Sequence, residues 1–230
     1  MKTTRIRKIA LLKIILLALS FPSLQADVSP ASSGKDLSQE ILTDVKAGAS
    51  PRYTEDRISL QLVSGALFST NSVGPDVPTY NYSQTNLRLG WMLNTPSGDG
   101  FFSGNVEAIA ELSGSFLFEG SGNLFIGPTA LLRYNFVQPG WKVIPYVQGG
   151  IGIVYTDAYE DRSQKAIGQA LEFTPQASIG LKYLVADDWS IDLEAMFHHI
   201  SNANLADRNS GINAIGGFLG ATYFFEKLWE

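Results

Sequence analysis

Late in the chain, Phe197-His198-His199-Ile200-Ser201-Asn202-Ala203-Asn204-Leu205 sets an imidazole and a hydroxyl two residues apart. On an extended strand, residues i and i+2 share a face and sit about 6.6 Å apart, a gap that an imidazole can span toward a hydroxyl. A base beside a hydroxyl is the pairing that acyl transfer requires. His199 and Ser201 continue the outward face of 189, 191, 193, 195 and 197. If the following hairpin is centred near residue 206, His199 lies across from Asn213, and directly opposed side chains are about 5 Å apart. Asn213 shares its face with Ile215, Leu219 and Tyr223, so it points the same way. Ser201, His199 and Asn213 thus make a nucleophile–base–orienter set. A second reading stays open on parity alone, because Ser, His and Asn also edge loops and Ser201-Asn202 can start a turn.

Such a set needs strands to hold it, and from Arg57 onward the chain alternates with period two. Ile58, Leu60, Leu62, Ala66 and Phe68 oppose Ser59 and Gln61, and Leu87, Leu89, Trp91 and Leu93 oppose Asn86 and Arg88. The third run sets Val106, Ala108, Ala110, Leu112, Phe116 and Phe118 against Glu107, Glu111, Ser113 and Ser115. Similar runs follow around residues 129–136, 147–155, 176–183 and 189–197, and the last, 212–225, is apolar on both faces. Eight runs of roughly ten residues predict an all-β fold: an eight-stranded antiparallel transmembrane β-barrel, apolar outside and polar inside.

A soluble lipid-binding barrel would alternate in the opposite sense. Two features favour the membrane. The connections near 70–84, 156–170 and 202–211 are long or polar, whereas 94–100, 138–141 and 185–188 are short turns; the short 119–123 connection breaks this pattern. Trp91, Trp141, Trp189 and Trp229 all fall near one rim, as an aromatic girdle would. Inside, Glu107, Glu111, Asp192 and Glu194 face Arg88, Arg133 and Lys182. Eight strands leave no open pore, so a salt-bridged plug is the plainer account of these charges and a catalytic pair the sharper one.

The leader is an address. Lys2, Arg5, Arg7 and Lys8 precede an apolar stretch, interrupted by Lys13, that closes on Ser23-Leu24-Gln25-Ala26. It is shorter than the about 20 residues of a spanning helix, so residues 1–26 read as a signal peptide, 27–55 as a periplasmic tether and 56–230 as the barrel. With the N-terminus in the periplasm, the seventh strand ends at the cell surface, at the level of the outer leaflet. Charged residues are only 17% of the 230, against about 25% in soluble domains. A net charge of −5 argues against a nucleic-acid partner, and the absence of cysteine removes thiolate chemistry. The two histidines are adjacent, so a multi-histidine metal site is not expected.

His199-Ile200-Ser201-Asn202-Ala203-Asn204-Leu205 and Asn209-Ser210-Gly211-Ile212-Asn213 resemble the lipid A 3-O-deacylase family, PagL-like acyloxyacyl hydrolases of the outer membrane. The resemblance implies hydrolysis of the ester-linked 3-O-acyl chain of lipid A (lipopolysaccharide remodelling), with Ser201 as nucleophile, His199 as base and no metal or cofactor. It also implies that Asn202 contributes to the oxyanion hole, through backbone or side chain. The family carries a glutamate where this chain has Asn213, and an amide orients the imidazole without supplying charge. The alternatives are a non-enzymatic structural or surface-interaction barrel and an acyltransferase of the same membrane. A homodimer stays open.

Overall fold

The computed structural model describes residues 50–70 and 79–225. The expected signal peptide, most of the expected tether, part of the first long loop, and the terminal 226–230 with Trp229 lie outside the described residues. Eight strands follow in sequence: β1 (Ile58–Ser69), β2 (Asn81–Met92), β3 (Gly104–Glu119), β4 (Leu124–Phe136), β5 (Val143–Thr156), β6 (Leu171–Leu184), β7 (Trp189–Ile200) and β8 (Ile212–Phe225). Each pairs antiparallel with its sequence neighbour, and β1 pairs with β8 to close a barrel. Closure leaves no strand edge with unpaired backbone groups, the condition for crossing a bilayer with strands.

The period-two pattern sorts the faces as the sequence predicts. Leu62, Leu89, Leu132, Ile151, Ile179 and Leu193 are each about half exposed on the outside. Such a belt on a soluble protein would be an aggregation surface; here it is the surface that lipid covers. Trp91, Trp141 and Trp189 sit at the short-turn end, where the Trp189 and Tyr223 ring centroids are 5.0 Å apart.

In the middle of the lumen the charges pair. Arg88 bridges Glu111 and Glu194, each at 2.6 Å, Arg133 meets Glu107 at 3.2 Å, and Lys182 meets Asp192 at 3.2 Å. Gln61 ties these three clusters together, accepting from Arg88 and Arg133 and donating to Asp192. Every one of these ionic side chains is buried, so the salt-bridged plug is the arrangement found.

The ion-paired side chains are confined to that middle belt, and apolar side chains gather toward each end. At the long-loop end Val63, Leu67, Tyr82, Phe125, Met196 and Phe218 turn inward and pack with Ala158, Ala166 and Ile167 of the β5–β6 loop. At the short-turn end Met92, Val137, Ile144, Leu184 and Phe224 enclose Tyr53. Tyr53 belongs to a 3-10 turn (Pro51–Tyr53) inside the expected tether span, and its ring lies edge-on to Phe224 at 5.4 Å. The chain around residues 51–53 is therefore a bung for the barrel, which moves the folded part upstream of the expected boundary at residue 56. Both ends of the lumen are stoppered by apolar side chains.

The short β3–β4 turn, which broke the expected alternation of loop lengths, is fastened to its longer neighbour. Asp157 accepts from the backbone N–H of Asn123 (2.7 Å) and of Leu124 (3.2 Å), and from the Asn123 side chain (2.7 Å). Asp161 accepts from Ser121 at 2.6 Å. Hydrogen bonds from Ser121 and Ser163 lower the exposed Asp161 carboxyl to about 2.

Candidate active site

β7 delivers His199 and β8 delivers Asn213 at directly opposed positions, the register expected from the sequence. Ser201 lies one residue beyond β7 and is bridged to Phe173 of β6, its N–H and C=O both engaged with that residue (3.1 and 2.8 Å). His199 Nε2 is 2.8 Å from Ser201 Oγ, and His199 Nδ1 is 2.7 Å from Asn213 Oδ1. An amide oxygen only accepts, so Nδ1 carries the proton and donates it to Asn213. Nε2 is then the lone-pair nitrogen, and it accepts from the Ser201 hydroxyl. The result is a hydroxyl aimed at a base whose far side is fixed. All three side chains are half-buried on the outer face of the barrel.

Small geometric requirements surround this relay. Gly211 adopts φ +70°, and a Cβ there would come within 3.2 Å of His199 Cε1, so the glycine both makes the turn into β8 and leaves room for the imidazole. Leu205 N–H closes a turn on Asn202 O at 3.0 Å, with Ala203 and Asn204 at φ 54° and 65°. Two positive φ values make this the mirror-image turn that suits hairpins and normally prefers glycine. Holding alanine there costs about 1–2 kcal/mol, and strain of that kind next to a reactive side chain marks a functional loop.

Asn202 is buried on the lumen side, directly behind the relay. Its N–H donates to Asn209 Oδ1 at 2.8 Å, and its side-chain amide donates to Arg208 O at 2.9 Å and toward Glu172 Oε1 at 3.5 Å. The structure thus brings Ser201, His199 and Asn213 into one relay, and places Asn202 behind it with its donors engaged. Sequence reading gave no role to Asn209, Arg208 or Glu172. Asn209 had a weak signal in its spacing to Gly211; the other two act through loop–loop contacts that no local pattern encodes.

Below the relay on the same face, a groove of about 800 Å³ runs between Phe68, Val147, Ile179, Phe197 and Ile215, over a floor that includes Ala177, Ala195 and Gly216. Phe197 and Ile215 stand two residues from His199 and Asn213 respectively, so the groove begins where the polar site ends. Its lining is mostly apolar and is drawn from five neighbouring strands of the lipid-facing wall.

No curated protein sequence matches the chain. Among solved structures, the outer membrane enzyme PagL superposes with a TM-score of 0.50 at 21% identity, over 69% of this chain and 97% of that one. Neisserial surface protein A superposes with a TM-score of 0.51 at 11% identity, over 73% and 97%. These likenesses establish the barrel fold. The sequence profile of the lipid A 3-O-deacylases (PagL) matches residues 86–222, more than half of the chain. That span contains the β7–β8 hairpin with His199, Ser201 and Asn213, and the chain belongs to the lipid A 3-O-deacylase family of outer-membrane β-barrels.

Proposed function

We propose that this barrel hydrolyses the 3-O-linked acyl ester of lipid A in the outer leaflet, with Ser201 as nucleophile and His199 as general base. The observation that carries the reading is the relay from Ser201 Oγ through the imidazole to Asn213 Oδ1, at 2.8 and 2.7 Å, on the surface that faces lipid. The long-loop end is assigned to the cell surface, which sets the relay at the depth of the lipid A esters.

Ser201 Oγ attacks the ester carbonyl while its proton passes to His199 Nε2. The tetrahedral intermediate collapses as His199 returns that proton to the departing sugar 3-oxygen, leaving an acyl-serine. Water, deprotonated by the same imidazole, then releases the fatty acid and restores Ser201. Asn213 keeps the imidazole in the required tautomer throughout. The Asn202 N–H, held in the free site by an amide oxygen of Asn209, is the donor offered to the oxyanion once the substrate carbonyl takes the place of that oxygen. The groove between Phe197, Ile215 and Ile179 receives the acyl chain.

Mass spectrometry of lipid A from cells producing the wild type, Ser201→Ala and His199→Ala tests this. Loss of one hydroxyacyl chain with the wild type alone is the expected result. Unchanged lipid A in all three, with each barrel folded in the outer membrane, would leave the non-enzymatic barrel as the better reading.

A further inference from the structure

The four carboxylates in the middle of the lumen each have a cationic partner, but Glu172 does not. It is fully buried, the second residue of β6, and makes no ion pair among the described residues. A buried carboxylate in no direct ion pair is costly and depends on its hydrogen bonds, with the Arg208 guanidinium acting on Glu172 only at longer range. Its Oε1 collects the N–H groups of Gly168 (3.2 Å) and Gln169 (3.3 Å) together with the side-chain amide of Asn202 (3.5 Å). Its Oε2 has no hydrogen-bond partner among the described residues.

The register explains why these groups meet. Phe173 and Ser201 are bridged across β6 and the end of β7, so the next rung sets Glu172 opposite Asn202, both turned into the lumen. The peptide between Ser201 and Asn202 is thereby gripped from two sides. On one side Ser201 pairs with Phe173. On the other, the Asn202 side chain is held by Glu172 and by the carbonyl of Arg208, whose guanidinium donates to the carbonyls of Tyr159, Asp161 and Gln164. Ser210 and Gly211 add backbone bonds to Lys165 and Ala166. The β5–β6 loop is thus sewn to the loop that carries the serine, and Glu172 is the anion at the knot.

We propose that Glu172 is a positioning residue: through Asn202 it fixes the rotation of the 201–202 peptide, and so the direction of Ser201 Oγ toward His199 and of the Asn202 N–H toward the substrate carbonyl. The kinetic part of this rests on the reading of Ser201 as nucleophile. Glu172 touches neither substrate nor the relay, and the acyl groove lies on the opposite side of the wall. Its loss therefore acts on turnover and spares binding.

The test uses the full chain refolded in detergent, with compact mobility on unheated gels as proof of a closed barrel. Glu172→Leu is expected to lower kcat on lipid A by about 10- to 100-fold with KM unchanged, the effect of a small misplacement of a reacting group. Glu172→Gln keeps the Oε1 acceptor and should stay within about threefold of wild type, since the N–H donors need a carbonyl-type oxygen rather than a full charge. Amide hydrogen exchange supplies a readout free of activity. Glu172→Leu should speed exchange at Asn202 and Leu205 and leave β1 to β5 unchanged. A Glu172→Leu barrel with wild-type kcat overturns the inference. So does one with reduced kcat and unaltered exchange in the 202–205 turn, because the effect would not then pass through Asn202. If the wild type itself fails to cleave lipid A, the esterase reading falls, and the exchange result alone decides the positioning role.

Discussion

Polar side chains gather in two places in this barrel, and the two gatherings obey different rules. In the lumen Arg88, Arg133 and Lys182 sit among four carboxylates, every one buried and ion-paired, with apolar layers closing off both ends. On the outer wall at the hairpin, His199, Ser201 and Asn213 are joined by hydrogen bonds with no carboxylate among them, and are partly exposed to lipid. The first arrangement solves a burial problem: in that belt, charge removed from water is stabilised by pairing. On the proposed reading, the second leaves a nucleophile within reach of a substrate, without a carboxylate facing hydrocarbon. Ionisable residues in a barrel therefore indicate chemistry by where they point, and their number says little.

Cutting each cluster separates the two rules. Arg88→Ala leaves Glu111 and Glu194 buried without the guanidinium that bridges them, and should destabilise the barrel by about 3–5 kcal/mol. Urea unfolding in detergent, followed by tryptophan fluorescence, measures this. Ser201→Ala in the same assay should leave the midpoint where it was, and a large shift would mean the hairpin is structural after all. A smaller effect sharpens the site. Asn213→Glu adds a charge facing Nδ1 that favours the imidazolium formed during attack. It should raise kcat by on the order of tenfold, since each factor of ten is about 1.4 kcal/mol of barrier. No gain, or a loss, in steady-state hydrolysis would show that the amide already serves the site as well as a carboxylate. The smallest effect concerns the carboxylates of the loop end, a third environment in which N–H and O–H donors take the place of cations. The Asp161 carboxyl is held below its ordinary value, so its contribution is fully present above about pH 4 and fades as the pH falls through about 2. Asp161→Asn should remove that low-pH dependence, read as proteolytic nicking of the β3–β4 turn across an acid series.

Strand parity was legible because it is local. A period of two needs only the next few residues, and it placed Gln61, Arg88, Glu107 and Lys182 inside, Leu62, Leu89 and Leu193 outside, and His199 opposite Asn213. What escaped the sequence is non-local or departs from the period. The inward Val63, Leu67 and Phe218 read as ordinary apolar residues on a strand, and nothing nearby announces that they cap a lumen. Tyr53 looked like part of a tether because its partners, Phe224 and Ile144, lie far along the chain. Asn202 was read for its neighbour Ser201, while its direction is set by Glu172 and Arg208 from other loops. The strain at Ala203 is invisible in a residue name and appears only as a positive φ.

The two stoppers also bear on the cell that makes this protein. Tyr53 with Phe224 at one end, and Ala166 with Ile167 at the other, turn a tube into a solid peg. An envelope can therefore carry many copies without gaining a route for solutes, so its tolerance of antibiotics and detergents that enter through water-filled channels should be independent of how much of the protein is produced.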